Sequence, residues 1–172
     1  MQSALAIIQG EHQAYAKALK TLSSNLERAV AHNYSPNLDI FVVGLNFIDT
    51  FIDHFHHPKE DDYLFRALRA RTNEADRFLF DLQHDHAYAA QSHARLSESL
   101  ERAHSRGAEA LAAFAYDLRD FLQQQYDHMR IEENIILPLA QHYLADEDWL
   151  DIDRAFRANR DPLFSAQSLQ SK

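Results

Sequence analysis

Two short motifs in this 172-residue chain place metal-binding residue types at a spacing that lets them act together. Glu60 follows His56 by four residues, and Glu132 follows His128 by four. About one helical turn separates such residues, so each pair projects from one helix face toward a common small object. Imidazole nitrogen and carboxylate oxygen without thiolate suit iron, manganese or zinc better than copper(I) or an iron–sulfur cluster. The chain has no cysteine, which excludes thiolate sites, disulfides and cysteine nucleophiles. His12 precedes His56 by nearly the interval at which His86 precedes His128.

These residues need long helices to position them. Only three glycines and four prolines occur, too little turn chemistry for a multi-stranded sheet. Apolar residues recur in steps of three and four in four long segments. The first, from Ser3 as N-cap to His32, carries Leu5, Ile8, His12, Tyr15, Leu19, Leu22, Leu26 and Ala29 inward. The cluster Asn33–Asn37 breaks it. The second runs from Leu38 to Arg71, with Phe41, Leu45, Ile48, Ile52, His56, Glu60 and Leu64 inward and a kink expected at Pro58. The third follows a cap at Thr72-Asn73 and extends to His104 through Leu79, Leu82, His86, Ala89, His93, Leu96 and Leu100. After a turn at Gly107, the fourth carries Leu111, Phe114, Leu118, Phe121, Gln125, His128, Glu132, Ile135 and Leu139, with Pro138 disturbing its end. A fifth, shorter helix from Asp146 to Asn159 presents Trp149, Ile152 and Phe156. The expected fold is all-α: an up-down-up-down four-helix bundle over residues 1–145, with a C-terminal helix and polar tail over 146–172.

The two halves nearly repeat. Gln9–Ala16 resembles Gln83–Ala90, and His56-His57-Pro58-Lys59-Glu60-Asp61 resembles His128-Met129-Arg130-Ile131-Glu132-Glu133. Each half is a helical hairpin with one histidine on its first helix and His-x-x-x-Glu on its second. A buried carboxylate without a partner costs several kcal/mol, so Glu60 and Glu132 call for a compensating cation. Four histidines and two bridging carboxylates would give each of two metals two nitrogens and two oxygens. An octahedral ion would then keep one position for an oxo or hydroxo bridge and one for an outside ligand.

Most single core histidines are hydrogen-bonded packing residues. Six of eleven histidines fall on the inward stripes, namely His12, His56, His86, His93, His128 and His142, where chance places about three. The repeated His-x-x-x-Glu pair, opposite two matching histidines, carries more weight than that excess. His57, offset about 100° from His56, is expected at the helix flank. His93 lies about 10 Å along the axis from His86 and is expected to pack or support. His32, His54, His84 and His104 read as surface residues. Asp53 could orient His56, and Phe47, Phe51 and Phe55 could dry the open position.

At Glu11-His12, His56–Asp61, Asp85-His86 and His128–Glu133 the sequence resembles the hemerythrin-like HHE cation-binding family, over essentially the whole chain. The runs Asp148-Trp149-Leu150 and Asn159–Leu163 also resemble the C-terminal extension of bacterial members. The resemblance implies a non-haem di-iron site with His12, His56, Glu60, His86, His128 and Glu132 as ligands. It departs from the oxygen carriers, which place a second histidine one turn along the third helix; Ala90 and Leu82 flank His86 here. Their fourth-helix carboxylate lies at the spacing of Glu133, whereas Glu132 fits the stripe. The implied set is closer to that of the iron–sulfur-repair and iron-sensing relatives, and a metal lacking a third nitrogen is expected to react with oxygen rather than carry it.

The expected function is therefore a di-iron protein, with manganese or zinc as substitutes, that takes oxygen, nitric oxide or peroxide in sensing, iron handling or redox repair. A di-iron oxidase or peroxidase and a reversible oxygen carrier are the alternatives, and a binding protein is favoured over a dedicated enzyme. A metal-free interaction module would lose nothing to a chelator. The formal charge of −9 argues against nucleic acid or an anionic membrane as partner. The N-terminal run does not read as a signal peptide, and a cytoplasmic protein, as monomer or homodimer, is expected.

Overall fold

The structure, a computed structural model, describes residues 2–32, 37–106 and 108–158. Among them the regular structure is entirely helical. Helix α1 is Gln2–His32, α2 spans 39–71, α3 is Asp76–Arg106, α4 spans 108–143, and α5 is Asp146–Arg157. The expected N-cap Ser3 falls inside α1. The breaks expected at Asn33–Asn37 and Gly107, and the tail after Pro162, lie wholly or mostly outside the described residues. Each long helix packs against the next, and α4 returns to α1.

The buried residues form two apolar clusters. One gathers Tyr15, Leu19, Leu22, Leu26, Phe41, Leu45, Ile48, Ile52, Leu96, Leu100, Phe114, Leu118 and Phe121. The other gathers Ala4, Leu5, Ile8, Leu64, Leu68, Leu79, Leu82, Ile136, Ala140 and the α5 residues Trp149, Ile152 and Phe156. Successive helices visit the two clusters in alternating order, and each crosses from one to the other at His12, His56–Glu60, His86 or His128–Glu132. A polar layer is thus held between two apolar ends. Helix α5 closes the second end over α1 and α2; it starts where the Ala145 N–H donates to Asp148 Oδ2 (2.9 Å), and Arg71 pairs with Asp148 and Glu147.

Helix α2 widens into π-helical turns over Ile48–His56 and Glu60–Phe65, and α4 does so over Glu132–Ile136. The pattern of burial explains this. In α2 the inward residues Ile48, Ile52, His56, Glu60, Leu64 and Leu68 recur every four residues. An α-helix gains roughly 40° per four-residue step, so an ideal helix would carry this stripe about halfway round. Wider turns cancel the drift. The prolines fit the same solution: each lies two residues beyond a π stretch, and the helix continues through it. A widened turn moves away the carbonyl that a proline ring would otherwise strike.

The widening also corrects the sequence expectation for α4. Ile136 and Ala140 are buried in the places assigned to Ile135 and Leu139, which are only part-buried, and His142 is exposed. One extra residue in the turn shifts every later position by one. Gly44 makes room for α1 against α2: a Cβ there would lie 2.5 Å from Leu22 Cδ2.

Candidate metal centre

All six residues singled out from the sequence meet in the polar layer. His12, His56, Glu60, His128 and Glu132 are at most 4 % exposed, and the His86 side chain is 5 % exposed. His12 Nε2 faces His56 Nε2 at 3.1 Å, and His86 Nε2 faces His128 Nε2 at 3.0 Å. Both glutamates lie between these pairs. Glu60 Oε1 stands 3.3 Å from His56 Nε2 and 3.6 Å from His12 Nε2, while its Oε2 is 4.0 Å from His86 Nε2. Glu132 Oε2 stands 3.5 Å from His12 Nε2, while its Oε1 is 3.0 Å from His128 and 3.9 Å from His86. Each carboxylate therefore offers one oxygen to each histidine pair.

Carboxylates on the far side of the rings fix which nitrogen points inward. Nδ1–H donates to Glu133 from His12 (3.2 Å), to Glu11 from His56 (2.6 Å), to Asp61 from His86 (3.0 Å) and to Asp85 from His128 (3.2 Å). That tautomer leaves each Nε2 with a lone pair aimed at the centre. The arrangement follows the internal repeat. The acid just before the first histidine of each hairpin holds the second histidine of the same hairpin. The acid just after each buried glutamate holds a histidine of the opposite hairpin.

His57 corrects the sequence expectation. It is buried at 4 % exposure, not at the flank; its ring stacks on His86 with centroids 4.0 Å apart and lies 5.2 Å from His128. The donor atoms form two groups able to hold a metal: His12, His56, Glu60 and Glu132 in one, and His57, His86 and His128 in the other. The 100° offset that argued against His57 is what lets one helix feed both groups. The signal lay in the run of four-residue steps in α2, which no ideal helix keeps on one face. Asp53 Oδ1 stands 3.3 Å from His57 Nδ1 without a hydrogen bond between them, while Glu11 accepts from His56.

The electrostatics call for a cation. Both oxygens of Glu60 and Oε1 of Glu132 are buried with no hydrogen bond among the described residues. Burial lowers the pKa of His56 and of His128, but Glu60 and Glu11 raise the first, and Glu132 and Asp85 the second, to about 10 each. Burial would raise Glu60, yet His56 and His12 hold it well below the ordinary carboxylate value. His57 is driven well below its ordinary value by burial, then by His86 and His128, and so stays neutral with a free lone pair. Protons neutralise this layer only by occupying the nitrogens that a metal would use.

The remaining expectations divide. His93 donates from Nε2 to the Leu45 carbonyl (3.1 Å) and ties α3 to α2. His54, His84 and His104 are exposed, and His32 has no described side chain. Phe47 and Phe51 stack on each other in the first apolar cluster and Phe55 is exposed; the rings against the site are Phe65, stacked on His86 at 5.7 Å, and Phe156, edge-on to His56 at 6.2 Å. Among the described residues no helix is long and apolar enough to cross a membrane. A sequence model of the hemerythrin HHE cation binding domain matches residues 3–140. No curated protein and no solved structure matches the chain.

Proposed function

From the membership of this chain in the hemerythrin HHE cation-binding family, we propose that it holds two iron ions between its helices and takes a small ligand, oxygen or nitric oxide, at one of them. The observation that carries this is the placement of Glu60 and Glu132, each with one oxygen toward either histidine group. His12 and His56 supply two nitrogens to one ion; His57, His86 and His128 supply three to the other. With both carboxylates bridging, the first ion keeps one more exchangeable position than the second. Manganese or zinc satisfies the same donors. The alternating order in which helices cross the two clusters supports an up-down-up-down bundle, which brings one ligand-bearing turn from each helix to the same level.

Paired ferrous ions would supply electrons and a coordination position to a diatomic ligand. The chain's own residues hold four of the rings through four carboxylates, exclude water with Phe65 and Phe156, and keep His57 neutral. Sensing or redox repair is one use of such a site. His57 favours reversible oxygen binding as a second use, because it removes the missing-nitrogen argument against a carrier. Metal analysis with visible spectra, with and without oxygen, tests the proposal. About two irons per chain and oxo-to-iron charge-transfer bands are expected. A colour that fades under vacuum and returns with oxygen selects the carrier; irreversible bleaching or oxidation selects sensing or repair. A protein that purifies without metal and takes up none contradicts both.

A further inference from the structure

The wall around the polar layer is uneven. Between Leu82 and Leu96 no residue of α3 is fully buried, and there a cleft of about 310 Å³ opens between α3 and α4. His57 and His128 lie at its inner end, His84 and Asp85 at its mouth, and Ala89 and Ser92 along its α3 side. Asp85 joins the two levels: its side chain is 59 % exposed, yet its Oδ2 accepts from the buried His128 Nδ1 at 3.2 Å. His84 Nδ1 stands 4.0 Å from Asp85 Oδ1, and its ring rests on Tyr88 at 4.5 Å. On the other side, His12 and His56 are each 1 % exposed, with Phe156 of α5 against His56 and the half-exposed Glu133 against His12.

We propose that this cleft is the path by which divalent metal ions enter and leave the centre, with Asp85 and His84 the first groups to hold an arriving ion and His128 and His57 the next. The proposal rests on the dinuclear reading above. The cleft reaches the three-histidine side, where three nitrogens and two bridging oxygens leave least room for an outside ligand. It therefore leads to the metal more directly than to the exchangeable position, which lies on the two-histidine side. A carboxylate and an imidazole at the mouth are ordinary donors for a divalent ion, and the exposed negative charge draws cations inward. Arg95, the arginine of the lining, is turned to the Ser92 hydroxyl at 3.2 Å.

The test mixes metal-free full-length protein with cobalt(II) in a stopped-flow instrument and follows its visible bands, then follows release to EDTA. Ala89→Phe fills the cleft. Loading and release should both slow by about tenfold, with final stoichiometry and affinity unchanged, because a blocked path alters both rates and no equilibrium. Ser92→Phe should reproduce the effect and guards against a single misfolded variant, with circular dichroism as the check. Asp85→Asn should slow loading by roughly threefold or more, and more so at low salt. His104→Ala, outside the cleft, should load at the unmodified rate. Unmodified rates in both filled variants, with two ions still bound, overturn the path and leave the dinuclear site standing. Slower azide binding to loaded protein with unchanged cobalt loading also overturns it and assigns the cleft to the ligand. Failure of the unmodified protein to bind a second ion removes the site itself.

Discussion

The two halves of the candidate metal centre repeat one hairpin pattern and part most clearly beside the second histidine of each. Where the first hairpin carries His56-His57 with Asp53 one turn before, the second carries His128-Met129 with Gln125. His57 turns into the polar layer beside His86 and His128, whereas Met129 is buried in the first apolar cluster. The repeat alone would give each metal two nitrogens; His57 would give three to one and two to the other. Symmetry explains why the centre exists, and its breach explains why the two ions would not be equivalent. The same side that gains a nitrogen also opens to solvent, while His12 and His56 on the other side are each 1 % exposed, with Phe156 of α5 against His56.

The strongest way to break this comparison is to remove what the halves share. Glu60→Ala should drop bound metal from about two ions per chain to below one, because it removes an oxygen from both positions at once. Glu132→Ala and His128→Ala should also lower metal content sharply, while His84→Ala and His104→Ala leave it unchanged at equilibrium. Elemental analysis after gel filtration reads all five.

Next comes the asymmetry itself. His57→Met copies the second hairpin into the first and should make the two positions alike. We expect metal affinity at the three-histidine side to fall by about 10–100-fold. Any oxygen adduct that releases under vacuum should give way to oxidation. Retention of the wild-type affinity and reversibility would show that His57 is a packing residue.

Acid–base behaviour separates protein with and without metal. His56 and His128 are raised from 6.5 to about 10 in the metal-free centre. A group raised on folding contributes stability that is fully present below its unfolded value and is lost as pH rises through the folded one. Metal-free protein should therefore melt at progressively lower temperature from about pH 6.5 to 10. With metal bound the slope should reverse, because protons compete with the ion for the same nitrogens as pH falls. Thermal melts at several pH values with and without chelator measure it; parallel curves would contradict it.

The smallest effect lies away from the centre. Gly44→Ala should destabilise by about 1–3 kcal/mol, since Leu22 sits in the core and has little room to give. Metal content should not change, and urea unfolding with elemental analysis checks both.

The helices and six inward histidines and glutamates were readable because steps of three and four mark a helix face, and the repeat marked which polar residues shared it. What escaped was the departure from ideal helix. The four-residue steps from Ile48 to Leu68 sit on one face only if the helix widens, and a search at 3.6 residues per turn does not allow for that. The cost was His57, placed at the flank, and the register of α4 beyond Glu132. The supporting carboxylates escaped for a different reason: Glu133 and Asp61 each hold a ring from the opposite hairpin, and partnership across helices leaves no spacing along the chain.

Two ions sharing Glu60 and Glu132 with unequal histidine sets would be directly visible in a diffraction experiment. Anomalous diffraction at the iron edge from crystals of the iron-loaded protein tests for them. Two peaks about 3.5–4 Å apart are expected, one held by His12 and His56, the other by His57, His86 and His128, with a carboxylate oxygen of each glutamate on either. A single peak, or two peaks with His57 turned away from both, would contradict that arrangement.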